Sequence, residues 1–308
     1  MTTAPTELSA EVWQTRAAEH ADRVDAFTAP HLQRRRDGRK HPVHDFLFTY
    51  YSYRPAQLRR WHPGFGIRLA AAAAEYADLP HYVIDGGGSA EVDRAHLAEQ
   101  RPLLERTLAL MRATASRPGS FGCFGLHEWA MVYRLTPQQV RHTGWPLRLG
   151  AAGTNAVVEG HRINCSHFDA FRFFTAPARP LNVLQPARDD RVDFEQPACL
   201  HANMDLYKHA FRLSPLIGSD LVLACFTLAW RVREFDMRAA PYDLSSLVLH
   251  DGSPWSPVAI ETPEGKAEYA EAQRGFAASA VPLRQELIDV CEELLGAEVS
   301  APTRASEQ

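Results

Sequence analysis

No apolar run in this 308-residue chain approaches the roughly 18 residues that a membrane helix needs; the best stretch, Leu221 to Trp230, is short and follows Asp220. The opening MTTAPTELSAEVWQ lacks a basic region followed by an apolar segment, so no secretion signal is read there. Both absences point to the cytoplasm and away from a membrane partner. The five cysteines, at 123, 165, 199, 225 and 291, are odd in number and contain no CxxC pair. That excludes a disulfide framework and a thiolate zinc site, and leaves reduced, mostly buried thiols as the expectation. A GxSxG elbow, a P-loop and the paired HxE and PCxxC signatures of zinc deaminases are also missing. Gly86, Gly87 and Gly88 form a loop after the strand-like HYVI but match no dinucleotide fingerprint.

What is present reads as an ordinary globular protein, with 45% hydrophobic and 23% charged residues. No repeat and no clear linker divides it. The expectation is a single domain over 1–308, mainly α, with an ordered core of about 8–297 and a disordered C-terminal tail. Val12, Ala17, Val24 and Phe27 have a helical period that Pro30 interrupts. Arg94 to Ser116, Leu200 to Leu213, Pro215 to Met237 and a last stretch from Pro263 to Gly296, kinked near Pro282, complete the long helices. Thr136, Pro137 and Gln139 resemble a helix start. Alternation in NAVVEGHRINCSHFDAFRFF predicts a small β hairpin around 155–174.

Charge is unevenly spread. Residues 31–70 carry a net +7 within a chain of net charge −4, leaving −11 elsewhere. That zone contains HPVHDFLFTYYSYRPAQLRRWHPG, in which histidines, tyrosines, phenylalanines, a tryptophan and arginines crowd together. Arginines and lysines of 34–40 suit phosphates, and Tyr50, Tyr51, Tyr53 or Trp61 suits a stacked base, with Arg59 and Arg60 as a charged rim. The competing reading makes Phe46, Tyr50 and Tyr53 the buried stripe of one helix.

Four histidines sit beside carboxylates: His44 with Asp45, His127 with Glu128, His167 with Asp169, and His201 with Asp205. Such pairs are raw material for metal sites and for acid–base chemistry. Strand alternation would put His167 and Asp169 on one face, the spacing that begins a two-histidine, one-carboxylate iron triad. His201, Asp205 and His209 fall at i, i+4 and i+8 of a helix, with Lys208 near the same stripe.

The blocks HPVHDFLFTYYSYRPAQLRRWHPG, FGLHEWAMVYR, HRINCSHFDAFRFFT and NMDLYKHAFRLSP resemble a family of actinobacterial proteins commonly labelled 3-methyladenine DNA glycosylase, over about residues 11–296. The lysine- and glycine-rich hairpin of helix-hairpin-helix glycosylases and the repeats of the helical-repeat class are absent, so no functional residue is carried over from either. The resemblance implies an activity: hydrolysis of the N-glycosidic bond of an alkylated purine in DNA, without a metal. On that reading Asp45, Glu128, Asp169 or Asp205 supplies the carboxylate, and the aromatic block with Lys208 holds the substrate. The alternative is an iron or haem enzyme of a helical fold, ligated by His44, His127, His167, His201 or His209, acting on a small aromatic molecule.

Overall fold

The computed structural model describes residues 5–136, 138–140 and 144–297. Within them the chain runs β1 (Thr6–Leu8), α1 (Ala10–Arg36), α2 (Phe46–Tyr50), α3 (Pro55–Arg59), β2 (Ile67–Leu69), α4 (Ala73–Tyr76), β3 (Tyr82–Ile84) and β4 (Ala90–Val92). It continues as α5 (Arg94–Ala115), α6 (Leu126–Ala130), α7 (Gly150–Glu159), α8 (Phe168–Phe171), α9 (Arg191–Phe194), α10 (Leu200–Arg212), α11 (Ser219–Arg238) and α12 (Pro263–Gly296). The fold is mainly α, as the periodicity indicates.

The pair α10 and α11 forms the centre; α12 packs against both, and α5 packs against α12 and α9. A helix that is apolar nearly all round must be buried, and LVLACFTLAW of α11 puts Val222, Cys225, Phe226, Ala229 and Trp230 in the main core. Helix α1 starts on Ser9, whose side chain accepts from Val12 N–H, and it does not stop at Pro30. Pro30, Pro102 and Pro282 all lie inside helices and all are exposed. The carbonyl that each ring deprives of a donor can turn to water, so the helices continue.

The expected hairpin at 155–174 is not there. Residues Gly150–Glu159 form α7 and Phe168–Phe171 form α8; the one β contact nearby is an isolated bridge between Ile163 and Asn182. Val157 and Val158 are both buried, which one strand face cannot achieve but a helix seated in the core can. The extended backbone at Cys165 is satisfied by Asn182, whose side chain bonds both its N–H and its carbonyl. The real sheet has order β1-β2-β4-β3, with β1 parallel to β2 and the other pairs antiparallel. It covers Trp13, Trp61, Leu69 and Tyr76, a small separate core.

Pro137, part of the expected helix start, lies outside the described residues, although Thr136 N–H donates to Gln139 Oε1 at 3.0 Å. The terminal segments 1–4 and 298–308 also lie outside them. No described helix is long and apolar enough to cross a membrane. The five cysteines are free; Cys165, Cys225 and Cys291 are buried.

Candidate active site

A cleft of about 1100 Å³ is walled largely by one stretch, His31 to Pro55, which spans the end of α1, all of α2 and the start of α3. Facing it are Glu128 and Met131 from α6 and its C-cap, Asp169 and Phe173 around α8, His201 of α10 and Arg233 of α11. Arg35, Arg39, Lys40 and Arg54 line it and are exposed, so the basic zone of the sequence forms its rim. Phe46 and Tyr50 stack at 4.9 Å and 11°, and the Arg233 guanidinium lies 3.8 Å over the Phe46 ring. Tyr53 stacks on Phe211 at 3.9 Å. The buried residues of α2 are Leu47 and Phe48, so Phe46 and Tyr50 border the cleft rather than anchor the core.

Glu128 is placed by a left-handed glycine. Gly125, the N-cap of α6, has φ +69°, and a Cβ there would meet the Tyr269 ring at 3.2 Å and Ala239 Cβ at 3.4 Å. Only glycine enters that helix without strain. Glu128 Oε1 then accepts from Arg233 Nη1 at 2.9 Å, both side chains being almost wholly buried.

Asp169 carries an ion pair on each side, with Lys208 Nζ at 3.0 Å and Arg172 Nε at 3.1 Å. Burial favours its neutral form, but Lys208 outweighs this and holds the carboxyl below its ordinary value. Lys208 also reaches Asp205 at 3.0 Å, one helical turn away on α10. Asp205 in turn accepts from Arg191 Nη2 at 2.8 Å and from Tyr51 Oη at 2.8 Å, and Arg191 pairs with Glu195. Buried as it is, Asp205 is kept well below the carboxylate range by Lys208, His167 and Arg191. His167 is fully buried, 3.3 Å from Glu195 and 3.5 Å from Asp205.

A third group lies deeper. His127 Nε2 is 3.0 Å from Asp236 Oδ2, and the His201 ring meets the His127 ring edge-on at 4.5 Å. Burial alone would lower the His127 pKa, but the Asp236 charge raises it well above the ordinary histidine value. Burial, aided by His127, pushes His201 down to about 3. Cys123 Sγ lies 3.7 Å from His127 Nδ1, at a small cavity that Cys165, Cys199 and His201 also line.

Of the residues singled out in the sequence, the cleft brings together Asp45, Glu128, Asp169, Tyr50, Tyr53 and His201. Asp45 is fully engaged: Oδ1 accepts from His31 and Arg34, and Oδ2 accepts from His41 N–H. It braces the wall rather than facing a ligand. Tyr51, Lys208, Asp205 and His167 are not among the lining residues: Lys208 bridges Asp169 and Asp205, and Tyr51 and His167 meet Asp205. His127 sits with His201 and Asp236. Trp61, Arg59 and Arg60 are not brought to the cleft: Trp61 is buried in the small core, Arg59 pairs with Asp25 at 2.9 Å, and Arg60 is exposed elsewhere. The turn at 51–54 between α2 and α3 directs them away. His44 bonds Glu234 at 2.7 Å and stacks on Trp230, outside the cleft lining. His209 is buried with Nε2 unpartnered, apart from the other histidines. The expected common face of His167 and Asp169 fails because His167 is the N-cap of α8 and Asp169 is inside it.

Sequence reasoning passed over Arg233 and Asp236. They sit in RVREFDMR at the polar end of an apolar helix, a pattern that ordinarily marks a solvated terminus; the i, i+3 spacing is the one signal that they share a face. No family model, no curated protein and no solved structure matches the chain.

Proposed function

We propose that the cleft hydrolyses the N-glycosidic bond of an alkylated purine in DNA. The observation that carries this reading is the joining, in one cleft, of a basic rim, stacked aromatic walls and an ionised carboxylate at the floor. The rim cations Arg35, Arg39, Lys40 and Arg54 suit phosphates. A base extruded from the duplex needs flat apolar surface, which Tyr50, Tyr53 and Phe46 offer. The volume exceeds what a free base fills, leaving room for the sugar and flanking phosphates.

An alkylated purine such as 3-methyladenine leaves readily because it is cationic in the nucleotide. The chemistry then asks for little: water oxygen bonds to C1′ as the C1′–N9 bond breaks, the bonding electrons depart with the purine, and the water proton passes to an acceptor. Asp169, held ionised by Lys208, sits where a carboxylate can stabilise the oxocarbenium-like sugar and orient that water. Glu128 is the second carboxylate of the floor. Lys208 is a positioning residue, fixed in turn by Asp205.

The test is release of free 3-methyladenine from alkylated duplex DNA, run both with added metal and with chelator. Base release, lost in Asp169→Asn and with KM raised in Tyr50→Ala, is the expected result. No released base under either condition overturns the reading.

A further inference from the structure

His127 on α6, His201 on α10 and Asp236 on α11 come from helices far apart in sequence, yet the fold brings one donor atom of each close together. A ring nitrogen of each histidine and a carboxylate oxygen of Asp236 all lie within 4.8 Å of one another. Two further observations set the group apart from an ordinary buried ion pair. Asp236 is 0% exposed, and its Oδ1 has no hydrogen-bond partner, an unfavourable arrangement unless something fills it. The His201 ring meets its neighbours among the described residues through ring contacts, with His127 at 4.5 Å and His167 at 5.4 Å, and without a hydrogen bond.

We propose that His127, His201 and Asp236 bind a divalent first-row transition-metal ion. Two imidazoles and one carboxylate make a donor set suited to Fe²⁺, Co²⁺ or Zn²⁺ and unsuited to the all-oxygen preference of Mg²⁺. An ion about 2.1 Å from each donor holds any two donors no more than about 4.2 Å apart. The group therefore closes slightly on binding: the His127 Nε2 proton that bonds Asp236 leaves to solvent as the ion takes its place, and His201, with no hydrogen bond to give up, is the ring free to turn. Arg233, a cation that acts on Asp236, is already neutralised by Glu128, so it offers little opposition to a bound ion. Cys123 Sγ, 3.7 Å from His127 Nδ1, holds the far edge of that ring, the supporting role that orients metal-binding imidazoles. Because His201 also borders the cleft, the remaining coordination positions open toward it and take water or a donor atom of the bound ligand. The inference does not depend on the hydrolysis reading, since a site of this kind is compatible with other chemistry in the same cleft.

The experiment strips the full-length protein with a chelator and titrates it with Co²⁺, following visible ligand-field bands and bound metal by equilibrium dialysis, with Mg²⁺ in parallel. One equivalent of Co²⁺ with a ligand-field spectrum, and no stoichiometric Mg²⁺, is the expected result. Removing a direct ligand costs at least as much as removing an outer partner, so His201→Gln weakens Co²⁺ by about 100-fold or more, while His161→Gln, just past the end of α7 where the ring bonds the Val157 carbonyl, binds as the wild type does. Zn²⁺ raises the melting temperature of the wild type through the same linkage, which serves as the readout if His201→Gln does not fold. Absence of stoichiometric Co²⁺, undiminished binding by folded His201→Gln, or no Zn²⁺ shift where that readout is needed overturns the assignment.

Discussion

His209→Gln offers a quantitative test of the buried histidines, because burial pushes His209 down to about 3 in the fold while an unfolded histidine titrates near 6.5. Between those values the unfolded chain holds a proton that the folded chain refuses, so stability falls as pH falls. The slope is about 1.4 kcal/mol per pH unit for each such group, or about 2 kcal/mol between pH 6.5 and 5. His201, at about 3, and His62, at about 4, are shifted in the same direction by burial and add to the slope with the same sign. His127 acts in the opposite sense: its raised pKa contributes stability that is complete below about 6.5 and is lost as pH rises through the folded value. The lowered carboxylates of Asp169 and Asp205 contribute stability above their ordinary value of 3.8 and lose it only at lower pH. The window from pH 5 to 6 therefore reads the depressed histidines. Urea unfolding across pH 5 to 7.5 measures the slope, and His209→Gln is expected to lower it by about 1.4 kcal/mol per unit below pH 6. Parallel curves for variant and wild type would refute the reasoning.

Arg233→Met leaves the Glu128 carboxylate buried without its partner and removes the cation from the Phe46 ring; a loss of about 3–5 kcal/mol is expected in denaturant unfolding, partly recovered when Glu128→Gln is added. Gly125→Ala forces a side chain into the left-handed region against Tyr269 and is expected to cost about 1–3 kcal/mol by the same measurement. Arg39→Ala with Lys40→Ala removes two rim cations; if they meet phosphates, the slope of log affinity for DNA against log salt flattens by about 2, whereas an unchanged slope takes the rim out of nucleic-acid binding.

Long elements were legible wherever the chain repeats a period for several turns. Arg94–Ala115, Leu200–Arg212 and Pro263–Gly296 follow their apolar spacing closely. Short ones were not. Strands of three residues are too brief to display alternation, and NAVVEG alternates by accident inside a helix whose two adjacent valines are both buried. Candidate residues fared by the same logic. The ionisable stripe of α10 was read from His201, Asp205 and His209 at helical spacing, with Lys208 near it; in the fold Asp205 and His209 are buried, and His201 and Lys208 partly so. Trp61 was misplaced because proximity in sequence to the tyrosines says nothing of direction once Pro55 restarts the chain as α3. The partners of the histidines lay beyond reach: Asp236 is 109 positions from His127 and no local pattern joins them.

The distribution of buried charge bears on what the cleft is for. Replacing a buried ion pair with apolar side chains of similar size is often neutral or stabilising, so such pairs are poor devices for holding a fold together. Here three sets of them, Glu128 with Arg233, Asp169 and Asp205 with Lys208 and Arg191, and His127 with Asp236, gather at or just behind one wall of a single open cleft. The opposite flank of α10 and α11 is filled with Met204, Leu206, Val222, Phe226 and their neighbours. A chain that needed only stability would have carried that apolar packing through to the cleft. The members of these sets that line the cleft are Glu128, Asp169, His201 and Arg233. The shifted titration of Asp169 and His201 in a cleft is the pattern that makes a site a candidate for chemistry, and Lys208 behind the wall fixes the orientation of Asp169 in front.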